Sequence, residues 1–491
     1  MPPSTNSQHI DLQAIAKDVM LNRGFDPEFA PEVSAQLAQL KSRPPDVRPT
    51  GDVRDLRSLF WSSIDNDTSR DLDQIEFAEA QAGGGTRIMI GIADVDAFAP
   101  KGTPIDEHAA RETTTVYAGV QNFPMLPEEL STGLTSLLEN QDRLAIIIEF
   151  VVEPNGLVQS TSIYRAVVRN KAQLQYHSTG AWLEGSPEPP PKIAASAELQ
   201  AQLKLQDQAA QTLRTKRYEN GALSLQTDEF QPVFLNDQVI DMEKEQKSHA
   251  TELIEDFMVA ANGVVARFLE KVSSLRRIVR TPERWDRIVQ LAAGKGAKLP
   301  AQPDSKALND FLIERKKADP DHFADLSLAV IKLIGPGEYV LERAGEAAPG
   351  HFGLAVQDYT HSTAPNRRFP DLVTQRIIKS ILQGGNNPYS DAELSEIAAN
   401  CTQKENGARK VEREMSKRLA AVAMQSHIGE IFDAIVTGVT PHGTFVRVEQ
   451  PRIEGMLAQG AAGLDVGDKL RVKLVRADIR LGYIDFARAQ G

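Results

Sequence analysis

Apolar residues recur at helical spacing near the start of the chain. Ile10, Leu12, Ile15, Ala16, Val19 and Met20 fall on one face of a 3.6-residue period, and Asn22-Arg23-Gly24 supplies a stop. Val33, Leu37 and Leu40 repeat the pattern, so residues 9–42 are expected to form a small helical module, a helix-turn-helix being one arrangement of it. Ser42-Arg43-Pro44-Pro45-Asp46-Val47-Arg48-Pro49 reads as linker, because proline lacks the backbone donor that a helix needs. The texture then changes. Arg87–Ala93 and Leu144–Val152 are short apolar runs rich in β-branched residues, the pattern of buried strands. Gly83-Gly84-Gly85 lies between the strand-like Ile75–Ala80 and the first run, and predicts a hairpin loop; no helix follows to make it a phosphate cradle. Glu188-Pro189-Pro190-Pro191 predicts a surface loop.

Three later stretches return to the helical period. Leu253, Phe257, Ala261, Val264 and Phe268 line one face of residues 250–271. Pro370–Leu382 begins with a proline suited to the first helical position and with Asp371 near the positive end of the dipole. Ala408–Met424 places Val411, Met415, Leu419 and Val422 together. At the end come five short strand-like pieces, Phe432–Val436, Gly443–Val448, Gly455–Ala458, Lys469–Val475 and Tyr483–Ala487, separated by Gly, Pro and Asp turns. Five strands in so few residues predict an OB-type barrel. No internal repeat is visible.

Length and composition narrow the class. The chain has 491 residues, 55 Lys and Arg against 67 Asp and Glu, and a net charge of −12. That length suggests about three domains. An acidic balance argues against coating nucleic acid over the whole surface, yet permits a local basic channel and carboxylates gathered for metal. One cysteine, Cys401, excludes a disulfide scaffold within the chain and fits a reducing, cytoplasmic setting. No apolar run reaches the roughly 18 residues of a membrane span, and Met1–Gln8 lacks the features of a secretory leader. The nine histidines show no metal-ligand spacing, and His361 is read as structural.

The most informative stretch is Ile64-Asp65-Asn66-Asp67-Thr68-Ser69-Arg70-Asp71-Leu72-Asp73-Gln74. Four aspartates and one arginine between residues 65 and 73 leave a local charge of −3. Such repulsion is tolerated where the carboxylates are solvated or where cations sit among them. Asp71 and Asp73 share a face of an extended segment, and Asp65 returns to the same point if the chain turns between. Three readings stay open on these residues alone. They are a solvated acidic loop, a calcium loop that lacks glycine where Arg70 stands, and an all-oxygen Mg²⁺ or Mn²⁺ site for phosphodiester chemistry.

Several blocks carry a resemblance. Ser63-Ile64-Asp65 with Arg70-Asp71-Leu72-Asp73, Ile92-Ala93-Asp94-Val95, Ile105–Arg111, Tyr117 with Phe123–Ser131, and His351–Leu354 followed by Tyr359-Thr360-His361-Ser362-Thr363-Ala364-Pro365-Asn366-Arg367-Arg368-Phe369-Pro370-Asp371-Leu372 resemble, in the family's order, the ribonuclease II or RNB family over residues 51–424. The tail resembles its S1-type OB domain. The resemblance implies an α+β multidomain protein: a helical N-terminal module over 1–50, a mixed α/β catalytic domain with a buried channel over 51–427, and a five-stranded barrel over 428–491. It implies a processive 3′→5′ exoribonuclease that draws single-stranded RNA by its free 3′ end into a narrow channel and releases nucleoside 5′-monophosphates. Mg²⁺, with Mn²⁺ as the alternative, is the implied cofactor. No organic cofactor and no membrane partner are expected, and the chain is expected to be a monomer.

Carried over residue by residue, Asp65, Asp71 and Asp73 match metal-site carboxylates, Tyr117 the aromatic that stacks on the 3′-terminal base, and Glu255 an acidic residue facing the terminal nucleotides. Arg367 matches the arginine that steadies the scissile phosphate, and Glu412 a further carboxylate near the site. The residues themselves add that Arg367 and Arg368 precede a helix start, so two guanidiniums and a helix N-terminus are expected to converge on a phosphoryl oxygen. In the tail, Lys469, Arg471, Lys473, Arg476 and Arg480 give a basic stripe, with Phe445 as a stacking platform for RNA. The sequence departs from the family in three ways. Gln74 stands where the family usually has aspartate, and is expected to assist the metal site through its amide oxygen. Leu225 stands in the block Gly221-Ala222-Leu223-Ser224-Leu225 where an aromatic is common. About 50 residues before the catalytic blocks leave no room for the usual paired cold-shock domains. The rival reading is a catalytically silenced RNA-binding protein of the same family.

Overall fold

The computed structural model describes residues 10–489 apart from 228–229, 236–237, 245–246, 321, 347–348 and 449. The Met1–Gln8 stretch read above lies outside the described residues.

The two N-terminal helices form as the period predicts: α1 (Leu12–Asn22) and α2 (Pro31–Ser42). The Asp11 carboxylate caps the first by accepting from the Ala14 N–H at 2.9 Å, and Pro31 opens the second. After the proline-rich linker come β1 (Arg54–Asp55), β2 (Trp61–Asp65), β3 (Gln74–Ala80) and β4 (Thr86–Ala93). Gly83–Gly85 make the predicted hairpin between the last two, closed by the Gln81 N–H on the Gly85 carbonyl at 2.8 Å. There follow α3 (Pro104–Glu112), the two-residue strands β5 (Val116–Tyr117) and β6 (Asn122–Phe123), and the long strands β7 (Asp142–Val152) and β8 (Val158–Gln175). The sheet order is β1-β8-β2-β3-β4-β7, and β8 also pairs with β7, so the sheet curls back on itself. Gly91 lies inside it because Ile75 leans over from β3; a Cβ there would meet Ile75 Cγ1 at 3.0 Å.

Helices α4 (Tyr176–Leu183), α5 (Pro191–Ala194) and α6 (Ala197–Glu219) lead to strands β9 (Phe230–Leu235) and β10 (Gln238–Lys244) and then to α7 (His249–Phe268). A capping box of Ser248 and Thr251 starts α7. Its predicted face, including Leu253, Phe257, Ala261 and Val264, is buried with Ile75, Ile90, Ile147 and Phe150 in one large core. Beyond β11 (Ser274–Ile278), helices α8 (Trp285–Gly294), α9 (Ser305–Ala318) and α10 (Phe323–Ile334) close around a separate core of Trp285, Ile288, Leu308, Phe311, Leu312 and Val330. Leu225 packs against that second core, which accounts for an aliphatic residue at this position. Next come β12 (Glu338–Glu342), α11 (Phe369–Leu382) and α12 (Asp391–Gln425). The last of these is 35 residues long, beginning well before the expected Ala408. Strands β13 (Ile431–Thr440), β14 (Gly443–Val448), β15 (Glu454–Gln459), β16 (Lys469–Asp478) and β17 (Tyr483–Arg488) form a closed barrel in the order β13-β14-β15-β17-β16. The fold is the mixed α/β arrangement with a helical N-terminus and a five-stranded barrel that the sequence led us to expect. Among the described residues, no helix is long and apolar enough to cross a membrane.

The helical module is not a free appendage. Ala16, Val19, Met20 and Phe25 pack with Val116, Ala118 and Phe123 of the β5–β6 hairpin and with Ala408, Val411 and Met415 of α12. Ile10, Leu12 and hairpin residue Val120 also pack against the barrel core. Phe25 lies on Gly407, where a Cβ would be 3.1 Å from its ring, and beneath the Lys404 ammonium at 4.6 Å. Phe25→Ala should therefore lower stability by about 3 kcal/mol; urea unfolding of the two proteins checks this, and an unchanged midpoint would contradict the seating.

Candidate active site

The site is built at the junction where the β2–β3 loop becomes β3. Hydrogen bonds from the segment before β7 and from the end of β4 fix this loop. The Leu72 N–H donates to Ser136 Oγ at 3.0 Å, and that hydroxyl donates to the Arg70 carbonyl at 2.6 Å. The Leu137 N–H donates to the Leu72 carbonyl, and the Ala93 N–H to the Asp73 carbonyl, each at 3.0 Å. Asp71 and Asp73 are thereby presented from a pinned backbone. The flanks are strands, so the calcium-loop reading, which needs helices on both sides, does not hold.

Asp73 reaches across to the loop before α11. Its Oδ1 accepts from the Asn366 N–H at 2.9 Å and its Oδ2 from Arg367 Nε at 3.1 Å. The Asp73 side chain is 2% exposed and that of Arg367 42%. The guanidinium thus meets the carboxylate on one edge and keeps the rest of its donors outward. The 359–368 loop is itself tied down. Ser362 donates through its N–H and hydroxyl to Asn262 Oδ1, the Ala364 N–H donates to Asp371 Oδ1 at 2.9 Å, and Thr135 Oγ1 donates to Asn366 Oδ1 at 2.6 Å. The Thr115 N–H donates to the Arg367 carbonyl at 3.0 Å, which joins this loop to the hairpin that carries Tyr117.

These groups strain one another electrostatically. Burial pushes Asp65 up to about 7; the charges of Asp73 and Asp71 add to this, while Arg367 and a hydrogen bond from the Gln74 amide oppose it. Asp73 is also pushed up to about 7, first by burial, with Asp71 adding and Arg367 and the Asn366 N–H opposing. Burial raises Asp71 as well. The Tyr117 hydroxyl is raised by burial; Arg367 acts against that shift, and Asp71, Asp73 and Glu412 act with it. Among the described residues, no three His, Cys, Asp or Glu side chains form a ready-made cage. The donor set nevertheless fits a hard divalent cation. It is all oxygen, it is mutually repulsive, and Asp65 Oδ2 is buried without a hydrogen-bond partner.

The RNB domain model matches residues 53–384, and the RNase II-type exonuclease C-terminal S1 domain model matches 430–489. The chain belongs to the RNB domain family. Ribonuclease R of Escherichia coli (strain K12) is 32% identical to it over 466 residues, covering 90% of this chain and 56% of its own length. Ribonuclease R of Thermotoga maritima is 31% identical over 472 residues, covering 88% of this chain and 64% of its own. The chain thus spans less than two thirds of the length of these relatives. The apo form of Mycoplasma genitalium RNase R has the same fold, with a TM-score of 0.85 at 21% identity over 98% of this chain and 78% of that one. That protein has also been solved with ribose-methylated single-stranded RNA and with double-stranded RNA.

Within this RNB-family frame, the residues singled out from sequence divide. Asp65, Asp71, Asp73, Gln74, Tyr117 and Arg367 act on one another, and Glu412 joins them by accepting from the Tyr117 N–H at 3.4 Å. Arg368 does not converge with Arg367. It turns inward to Asp371 Oδ1 at 2.7 Å and locks the first turn of α11, because the Asp371 carboxylate is buried there and needs a cation. Glu255 is exposed on α7 and pairs with Lys247 at 3.2 Å. Phe445, Lys469 and Arg471 belong to the barrel's outward positions, where Phe445 is half-buried. Arg471 lies opposite Asp433 on β13, and Arg476 is engaged by Asp478 and Asp485, so part of the basic stripe is neutralised. His361 is half-buried and bonds the Tyr339 hydroxyl at 2.8 Å, a structural role. Sequence reasoning missed Asn366 and Ser136. Asn366 sits inside a motif already read, between Pro365 and Arg367, but its contribution is a backbone N–H that no side-chain pattern reveals.

The raised carboxylates set a pH dependence. Asp65 and Asp73 hold protons in the metal-free native state up to about 7, whereas unfolded aspartate sheds them near 4. Across that window the native state binds more protons, so these two groups cost stability as pH rises, on the order of a few kcal/mol together. Melting of EDTA-treated protein should show a larger loss between pH 4 and pH 8 in the wild type than in Asp65→Asn/Asp73→Asn. Equal losses in both proteins would contradict the assignment.

Proposed function

We propose that this chain is a metal-dependent 3′→5′ exoribonuclease that hydrolyses single-stranded RNA to nucleoside 5′-monophosphates. The observation that carries the reading is the Asp73 carboxylate held jointly by Asn366 and by an outward-reaching Arg367. It sets a cation-seeking group and a phosphate-seeking group side by side. Membership of the RNB family, and the RNA bound by a protein of the same fold, support the choice of substrate. In this reading Asp65, Asp71 and Asp73, with the Gln74 amide, hold Mg²⁺ or Mn²⁺. The bound metal supplies an activated water for in-line attack and neutralises charge on the phosphoryl oxygens. Arg367 offers its free donors to the scissile phosphate, where charge develops. Tyr117, 43% exposed, stacks on the terminal base, and Glu412 fixes the backbone beneath it.

The proposed organisation is a helical module over 1–50, a catalytic domain over 51–427 and a barrel over 428–491 that adds affinity through Lys469, Arg471 and Phe445. Arg368 is a support for the phosphate loop, and Glu255 faces the incoming strand near its end. The protein acts as a monomer in a reducing cytoplasm without an organic cofactor.

A 3′-labelled single-stranded RNA should yield labelled mononucleotide with Mg²⁺ or Mn²⁺ and none with EDTA. Binding without cleavage under every metal would establish the silenced alternative instead. Asp73→Asn should lower turnover by roughly 100-fold or more while RNA remains bound, since removing one charge-stabilising group costs about that much. Replacing Lys469 and Arg471 by alanine should weaken RNA binding and reduce its log–log salt slope by about 0.7 for each phosphate that is no longer neutralised. A slope identical to wild type would remove the barrel from the binding surface.

A further inference from the structure

Asp73 is gripped at two points. Its carboxylate is bound by Asn366 and Arg367, which lead into α11. Its backbone carbonyl accepts from the N–H of Ala93, the last residue of β4, at 3.0 Å. The Ala93 carbonyl in turn accepts from Gln375 Nε2 at 2.8 Å, and Gln375 lies in the second turn of α11. Through Oε1 the same amide accepts from the Asp96 N–H at 3.0 Å. Both ends of the amide are used, and only one orientation of it satisfies both partners. Gln375 is 2% exposed and Ala93 0%, so water does not replace either bond. These contacts close a ring that runs from the Asp73 carboxylate through Asn366 and Arg367, along α11 to Gln375, and back through Ala93 to the Asp73 carbonyl. One helix therefore holds the carboxylate from the front and the peptide from behind.

Charged neighbours share the turn after β4 without making this link. Lys379 Nζ lies 2.8 Å from Asp94 Oδ1 and 2.7 Å from Asp96 Oδ2, and Arg376 Nε lies 2.9 Å from Asp96 Oδ1. Those ion pairs end on side chains of the turn and keep it attached to α11 when the amide is lost. What the amide adds is a fixed separation between α11 and the peptide group that carries Asp73.

We propose that Gln375 is a positioning residue, which sets Asp73 in register with Arg367 by holding Ala93 against α11. It acts through these groups and is not itself in contact with RNA or metal. A misplacement on the order of 1 Å between reacting groups costs up to about 100-fold in rate, even when its cause lies away from the chemistry. The proposal rests on the exoribonuclease reading given above and adds to it the residue that aligns the two halves of the site.

The test is steady-state release of mononucleotide from 3′-labelled single-stranded RNA with Mg²⁺, well below the melting temperature of every protein compared. Gln375→Met, which keeps the length of the side chain and removes both hydrogen bonds, should lower kcat at least about tenfold with KM for RNA within about twofold of wild type. Gln375→Glu keeps the acceptor for the Asp96 N–H and, when ionised, loses the donor to Ala93; it should lower kcat similarly and serves as the second variant if Gln375→Met is poorly folded. Ile381→Ala, which removes apolar packing at the far end of α11, should lower the melting temperature while kcat stays within about twofold of wild type. Wild-type kcat in folded Gln375→Met or Gln375→Glu would overturn the proposal and leave the exoribonuclease reading intact. So would a loss of kcat in Ile381→Ala as large as that in the Gln375 variants, since the amide would then serve the fold alone. A wild-type protein that releases no mononucleotide with any metal would overturn both.

Discussion

The Asn366 N–H and the Arg367 guanidinium both bind the Asp73 carboxylate, across 293 and 294 residues of sequence. This interaction constrains much of what surrounds it. The β2–β3 loop is pinned from below by Ser136 and Leu137, and the loop before α11 is pinned from behind by Asn262 and Asp371. Asp73 closes the gap between them. Because it is buried, its position is set by packing as well as by charge, and the guanidinium beside it inherits that precision. A charged group on a mobile surface loop would yield the same partner to water.

The electrostatics of the cluster run against stability. Asp65 is pushed towards the neutral form by burial and by the charge of Asp73, Asp73 by burial and by the charge of Asp71, and Glu76 by burial and by the charge of Asp65. Residues chosen for folding alone would not be arranged this way. Such an arrangement gains from a cation more than a solvated loop would, since binding removes the repulsion and the cost of burying charge together.

Much of this was legible in the sequence where one physical signal dominated. The N-terminal helices announced themselves by period, the barrel by evenly spaced turns, and the aspartates by improbable charge density. What was hidden had conflicting signals. The strand β8 extends from Val158 to Gln175, yet Arg165, Arg169, Asn170 and Lys171 interrupt its apolar pattern, with partners such as Asp142 for Arg169 and the Leu137 carbonyl for Asn170. Helix α6 is rich in Ala and Gln and buries polar Gln206 and Asp207, so it shows no clean apolar stripe. Arg368 looked equivalent to its neighbour, and only the buried Asp371 distinguishes them. Glu76, between Ile75 and Phe77, reads as the wet face of a strand; that face is covered, and the sequence carries no mark of the covering.

The seat of α1 has a mechanical meaning. Eleven residues of helix lean on the tyrosine hairpin and the long α12, while Ile10 and Leu12 lean on the barrel. Barrel and hairpin therefore share one fulcrum. Under the proposed function, a strand that touched both the barrel and Tyr117 would rest on two surfaces braced by the same short helix.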